Sequence, residues 1–431
     1  MFDTSSSKLA KLSLRARATV GIGLVATMLM SACSPAPAAS PTAAKPDAKP
    51  TTAAAAPASP AAKTDAPSAS PAAKPAGSPA AAGSPVAGAA AASPSTIAVS
   101  GPFAGEAQAL TGAGATFPAP LYSKWFNDYE RLSSVKVNYQ AIGSGGGIKA
   151  ITDKTVDFGA TDGPMTDDQL QAAGAPILHI PTALGAVVAT YNVPELTTPL
   201  KLSADTLAGI YLSEIKKWND PKLVADNPAL ANVNKDIIVV HRSDGSGTTF
   251  IFSDYLSAVS PTWKSSVGMG TSVKWPTGIG AQGNPGVTGE VKQNPYAIGY
   301  VEQIYATQNK LGMATIKNSA GQWVEPELTG VTAAAAALSA NVPADMRASI
   351  VNAPGNASYP ISGFTWLLSY REIPDKAKAT ALTRLMWWAT HDGQKQNPEL
   401  GYAALPTELV VRTEAMINSI TTGGQKAFPE R

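Results

Sequence analysis

"IVVHRSDGSGTTFIF", residues 238–252, passes from an apolar segment through Arg242 and a run of small or acidic residues into a second apolar segment. The stretch 236–241 reads as a strand, and Thr248–Leu256 reads as a helix. A strand that turns directly into a helix is the repeating unit of α/β architecture. The turn itself, Ser243 to Thr248, could serve as a plain connection, mount a nucleophile, or cradle an anion.

The same alternation extends along residues 106–431. Tyr122, Trp125, Phe126, Tyr129 and Leu132 recur at helical spacing after Pro118, which suits a first helical turn. "VKVNYQA" (135–141) alternates as a strand, "VDFGATD" (156–162) is a short buried strand, and "ALGAVVATYNV" (183–193) is an interior strand. Thr166 and Ser203 cap helices, and Gly174 ends one. "AIGYVEQIY" (297–305) and "FTWLLS" (364–369) add strands, and 378–393 forms an amphipathic helix. The pattern predicts an α/β fold, and the 326 residues it spans predict two domains.

The first hundred residues are different. Lys8, Lys11, Arg15 and Arg17 precede an apolar run, 18–30, too short to span a bilayer comfortably but suited to a signal-peptide core. Ser31 and Ala32 then precede Cys33, the only cysteine. Small residues before a lone cysteine predict a lipoprotein signal at 1–32 and lipidation of Cys33, although Met30 is a less usual neighbour. An uncleaved transmembrane anchor is the competing expectation. Residues 33–105 are almost all Ala, Pro, Ser, Gly and Thr, which bury too little surface to offset chain entropy. They predict a disordered tether reaching roughly 45 Å.

Eight of the 33 basic and three of the 31 acidic residues precede residue 106. That leaves 25 and 28, so the folded part is net −3 although the whole chain is +2. A broad basic surface for nucleic acid is not expected. An anion would have to be held by local groups.

Four segments supply such groups: Gly112–Phe117, Gly143–Gly147, Ala160–Asp162 and Arg242–Thr248. Glycines admit a ligand close to the backbone, helix N-termini offer free N–H donors, and Ser and Thr add hydroxyls. Ordinary turn chemistry remains an alternative for each segment. A nucleophile elbow needs glycine two residues either side of its serine. Ser246 has Asp244 and Thr248 there, and Ser144 has Ile142 and Gly146. No Gly-Lys-Ser/Thr tripeptide marks a phosphate-binding Walker loop. "GIGAQG" (278–283) matches a dinucleotide glycine pattern, but Pro276 and Asn284-Pro285-Gly286 flank it, which predicts a loop. His179, His241 and His391 lie far apart, so no metal site is expected.

"LTGAGATFPAPLYSKW", "VNYQAIGSGGG", "VDFGATDGPMTDDQL", "VVHRSDGSGTTFIFSDYL", "VKWPTGIGAQGNPGV", "AIGYVEQIYA" and "YAALP" closely resemble the phosphate-binding proteins of phosphate-specific transport, the PstS family. The likeness runs in order over roughly 108–410. It implies a two-domain periplasmic-binding-protein fold of type II, with a ligand cleft between domains joined by two crossover segments. These fall near Pro181–Leu184 and Asn356–Pro360, giving domain I as 106–183 and 358–431 and domain II as 184–357. Carried over by motif, the phosphate ligands are Ala115 (by its backbone), Thr116, Phe117, Ser144, Asp162, Arg242, Ser246, Gly247 and Thr248. Asp244 would pair with Arg242 and hold it in place. Asp162 would accept the proton that phosphate retains near neutral pH and that sulfate lacks.

The implied protein is an extracytoplasmic monomer, lipid-anchored through Cys33, that binds inorganic phosphate without a cofactor. Its partners would be the membrane permease and ATPase of an ABC importer. Two other classes stay open on the residues alone. One is a phosphoester-processing enzyme, for which neither a metal cluster nor an activated nucleophile is visible. The other is a receptor for a different oxyanion, or an adhesive surface protein.

Overall fold

A computed structural model describes residues 93–429. The signal segment, Cys33 and most of the expected tether lie outside the described residues.

The main sheet has nine strands: β1 (Ala109–Gly114), β2 (Lys136–Ala141), β3 (Phe158–Thr161), β4 (Ile177–Tyr191), β5 (Ile238–Arg242), β6 (Ile279–Ala281), β7 (Ala297–Glu302), β8 (Gly312–Met313) and β9 (Ser362–Tyr370). Their order is β2-β1-β3-β9-β4-β7-β5-β6, with β8 attached to β4. That order reads alike from both ends. In one half β2 and β3 flank β1 in parallel, and β9 follows antiparallel to β3. In the other, β6 and β7 flank β5 in parallel, and β4 follows antiparallel to β7. Each half is therefore one strand–helix–strand–helix–strand unit closed by an antiparallel strand. No internal repeat of short period shows in the residues, because the repetition lies in topology alone.

Four helices connect the parallel strands: α1 (Ala119–Ser133), α2 (Ser144–Thr152), α3 (Gly247–Val259) and α4 (Gly283–Gln293). The first strand of each half, β1 or β5, sends its chain to one side and receives it back on the other. Where crossovers diverge in this way, a crevice opens at the carboxyl ends of the strands. Both crevices are lined by the small-residue turns described above.

Packing explains the elements. In α1, Leu121, Tyr122, Trp125, Phe126 and Tyr129 are buried, and each contributes about 1.5–3 kcal/mol by leaving water. Every residue of β4 except Leu178 is buried, as expected for a strand covered on both faces. Nine of its first ten residues pair with β9 and its last five with β7, so β4 carries the chain from one half to the other. The register against β9 slips between Thr365 and Trp366, opposite Ala183 and Pro181, leaving Thr182 as a bulge.

Three sequence expectations are corrected. The tether does not continue to residue 105. Ile97 O accepts from Trp387 Nε1 at 2.9 Å, Gly101 O accepts from Arg384 Nη2 at 2.7 Å, and Phe103 lies 4.9 Å from the Arg384 guanidinium. The few apolar residues there, Val99 and Phe103, find a surface to pack on that composition does not reveal. The glycine-rich stretch 278–283 is not a loop, since β6 and α4 meet in it. Pro285 is third in α4, where its missing N–H would have had no helical partner. The strand expected over 297–305 stops at Glu302, whose Oε2 accepts from Ile304 N at 2.9 Å and caps the helix Gln303–Asn309.

Candidate functional site

The carboxyl ends of β1, β3 and β5 and the amino ends of α1 to α4 meet across the two halves. Glycine permits the approach. A Cβ on Gly147 would stand 2.5 Å from Ala160 O and 2.6 Å from Gly114 Cα, so α2 begins against the backbone of β1 and β3. A Cβ on Gly247 would stand 2.6 Å from Asp162 Cα, so α3 begins against the end of β3.

Thr116 and Phe117 form the turn between β1 and α1. Tyr305 OH donates to Thr116 O at 2.5 Å, and Tyr402 OH donates to Phe117 O at 2.7 Å. Because a trans peptide holds C=O and N–H on opposite sides, Tyr305 aims the Phe117 N–H away from itself. Among the described residues neither Thr116 N nor Phe117 N has a hydrogen-bond acceptor. Ala115 departs from the expected ligand role. Its N–H donates to Ala160 O at 3.0 Å, extending the β1–β3 pairing, and its carbonyl accepts from Tyr139 OH at 2.7 Å. Ala115 thus has no donor left for a ligand.

Ser144 opens α2 and is buried. Its Oγ accepts from Asp162 N at 3.2 Å and from Gly247 N at 2.9 Å. The Gly247 N–H, expected to face the anion, is therefore given to Ser144 across the two halves. Gly145 N donates to Gly245 O at 2.8 Å beside it. Ser246 caps α3, its Oγ accepting from Thr249 N at 3.0 Å. Thr248, second in that helix, keeps an N–H outside the helical ladder.

Arg242 ends β5 with a side chain 1% exposed. Its Nε donates to Asp244 Oδ1 at 2.7 Å and its Nη2 to Asp244 Oδ2 at 2.5 Å. This fork-to-fork pairing fixes the guanidinium plane. Nη1 is turned inward and donates to Thr248 Oγ1 at 3.3 Å. Burial alone would raise the Asp244 carboxyl, but the Arg242 fork and the Gly283 N–H hold it below the usual carboxylate range.

Asp162 is 1% exposed. Its Oδ1 accepts from Thr365 Oγ1 at 2.8 Å, and Ser144 Oγ lies 3.4 Å from Oδ2. Burial pushes this carboxyl up to about 7, against the lowering influence of Thr365, Arg242 and Ser144. Near neutrality it is poised between accepting and holding a proton. With its folded value raised, Asp162 contributes stability that is fully present below about pH 4 and is lost as pH rises through about 7.

The structure thus brings Thr116, Phe117, Ser144, Asp162, Arg242, Asp244, Ser246, Gly247 and Thr248 to one buried place. What they build is a cradle of dipolar donors with a single guanidinium and two carboxylates, of which Asp244 is engaged by Arg242. Such a set has the chemistry to hold a small oxyanion. Asn284, Thr365, Tyr305 and Tyr402 complete the surroundings and are missing from the sequence assignments. For Asn284 the available signal was the glycine pattern just before it; the others carry none. Among the described residues no group of three or more His, Cys, Asp or Glu could hold a metal ion. His241 stacks on Trp275, His391 stacks on Trp387, and His179 Nε2 accepts from Met165 N.

Comparison with known proteins bears on the fold and the family. The model of the PBP superfamily domain matches residues 60–391. The phosphate-binding protein PstS of Haemophilus influenzae is 47% identical over 72% of this chain and 92% of its own length. Its counterpart in Methanocaldococcus jannaschii is 39% identical over 69% and 82%. A solved phosphate-binding protein from Stenotrophomonas maltophilia superposes with a TM-score of 0.55 at 19% identity, covering 72% of this chain and 94% of that one. This last likeness speaks for the fold, which is that of type II periplasmic binding proteins. From both the sequence relatives and the arrangement of its strands and turns, the chain belongs to the PstS family of phosphate-binding proteins.

Proposed function

We propose that this chain captures inorganic phosphate in the buried cradle and delivers it, chemically unchanged, to an ABC permease and its ATPase. The observation that carries this is Asp162. A buried carboxylate among anion-binding donors makes sense when the anion brings a proton to share. The direct ligands are Thr116, Phe117, Ser144, Arg242, Ser246 and Thr248, with Asp162 as proton acceptor and Asp244 as the brace of Arg242. Gly247 belongs to closure rather than to the ligand shell, and no cofactor takes part.

The expected result is tight phosphate binding and weak sulfate binding by the full-length chain in calorimetric titration. Tight sulfate binding, or none of phosphate, would overturn the assignment. Asp162→Asn should bring the two affinities at least about tenfold closer, because an amide can turn its NH₂ toward a sulfate oxygen. An unchanged ratio would remove Asp162 from the selector role.

The two halves act as domains, 106–183 with 358–431 and 184–357. The Thr182 bulge supports a hinge at Pro181–Leu184, where the pairing of β4 with β9 is already irregular. The second crossing is Asn356–Pro360. The protein works as a monomer outside the cytoplasm, tethered to the membrane by a lipid on Cys33. Mass analysis of the mature N-terminal peptide should find Cys33 first and acylated; an intact residue 1–32 segment would contradict this.

A further inference from the structure

Asn284 is fully buried at the start of α4, and both hydrogens of its side-chain amide are spent at the cradle. Its Oδ1 accepts from Glu302 N at 3.0 Å, which fixes the orientation of the amide. One Nδ2 hydrogen goes to Thr116 Oγ1 at 2.9 Å, and the other to Thr248 Oγ1 at 3.1 Å. The first hydroxyl belongs to one half of the molecule and the second to the other.

Each hydroxyl receives a second donor as well. Asn284 N donates to Thr116 Oγ1 at 3.1 Å, and Arg242 Nη1 donates to Thr248 Oγ1 at 3.3 Å. A hydroxyl has two lone pairs and one hydrogen. With both lone pairs engaged, each threonine has only its hydrogen to offer. Among the described residues neither hydrogen finds an acceptor.

We propose that Asn284 is a positioning residue that fixes the polarity of the Thr116 and Thr248 hydroxyls, making both obligatory donors to the bound anion while it joins the two halves. This rests on the assignment of phosphate to the cradle.

The test is phosphate titration of the full-length chain with substitutions at Asn284 and at the two threonines. In Asn284→Asp the Oδ1 contact with Glu302 N survives, but Nδ2 becomes an acceptor and draws both hydroxyl hydrogens to itself. Affinity should fall by about 10³-fold. Asn284→Ala frees the hydroxyls to rotate and should cost about tenfold. In a chain already carrying Thr116→Val and Thr248→Val, Asn284→Ala should change affinity by less than about threefold, since nothing remains to orient. Equal losses for the Asp and Ala variants, or the same tenfold loss in the valine background, would overturn the proposal and leave Asn284 a packing residue. If Asn284→Asp fails to fold, the comparison of Asn284→Ala in the two backgrounds decides alone. Absence of phosphate binding by the unsubstituted chain would overturn the phosphate assignment, and this proposal with it.

Discussion

Arg242→Ala should weaken phosphate binding by roughly two to four powers of ten in calorimetric titration, without unfolding the ligand-free protein. Arg242 supplies the one full positive charge among the converging side chains of a folded part that is net −3. Removing it takes a charge-assisted donor from the anion. It also strips Asp244 of both its short contacts and leaves that carboxylate facing the ligand with only the Gly283 N–H in support. Losing one partner of a buried, hydrogen-bonded pair costs about 3–5 kcal/mol, and each 1.4 kcal/mol is tenfold in affinity. Asp244→Ala should do less damage, because Arg242 stays beside the anion even when no longer braced. An affinity within tenfold of the unsubstituted chain would mean that the dipoles hold phosphate unaided, and Arg242 would lose its standing as the anchoring charge.

Gly247→Ala should reduce phosphate affinity by about 10²- to 10³-fold through geometry alone. The new Cβ would lie 2.6 Å from the N, Cα and Cβ of Asp162, a distance no backbone neighbour can absorb. Alanine is the better helix former, and the backbone of Gly247 is not in the left-handed region, so α3 itself should be unharmed. Strain is relieved by moving α3 away from β3. The hydrogen bonds Gly247 N to Ser144 Oγ and Gly145 N to Gly245 O then break. Overpacking of this kind costs about 1–3 kcal/mol, and each lost hydrogen bond adds about 0.5–1.5 kcal/mol. Small-angle scattering should show the variant more extended than the parent at saturating phosphate. A variant that compacts normally and binds at parental strength would show that the halves need not approach so closely.

Much of the molecule was legible because its signals are local. Strand-to-helix turns, the cap residues Thr166 and Ser203, and the aromatic stripe of α1 all declare themselves within a few residues. The cradle was legible for the same reason, being built from four short turns. Other features depend on contacts remote in sequence. That Ala115 is spent on β1–β3 pairing requires knowing where Ala160 falls. That Asn284 works at the cradle requires knowing that α4 begins beside Thr116, a partner 168 residues away. The prolines around residue 280 signalled a loop, yet the helix placed its proline where no N–H was needed. The packing of Val99 and Phe103 was hidden in a segment whose composition was otherwise that of a tether.

The palindromic strand order has a consequence for how the molecule reports its state. Neither half owns a complete cradle: one contributes Thr116, Ser144 and Asp162, the other Arg242, Thr248 and Asn284. On the proposed function, an anion touching only one half would find too few donors to stay, and closure without an anion would bring unmatched donors together. The closed form would then be a logical conjunction of ligand and approach, true only when both inputs are present. A receiver that senses the closed outline alone could read occupancy without ever touching the ligand.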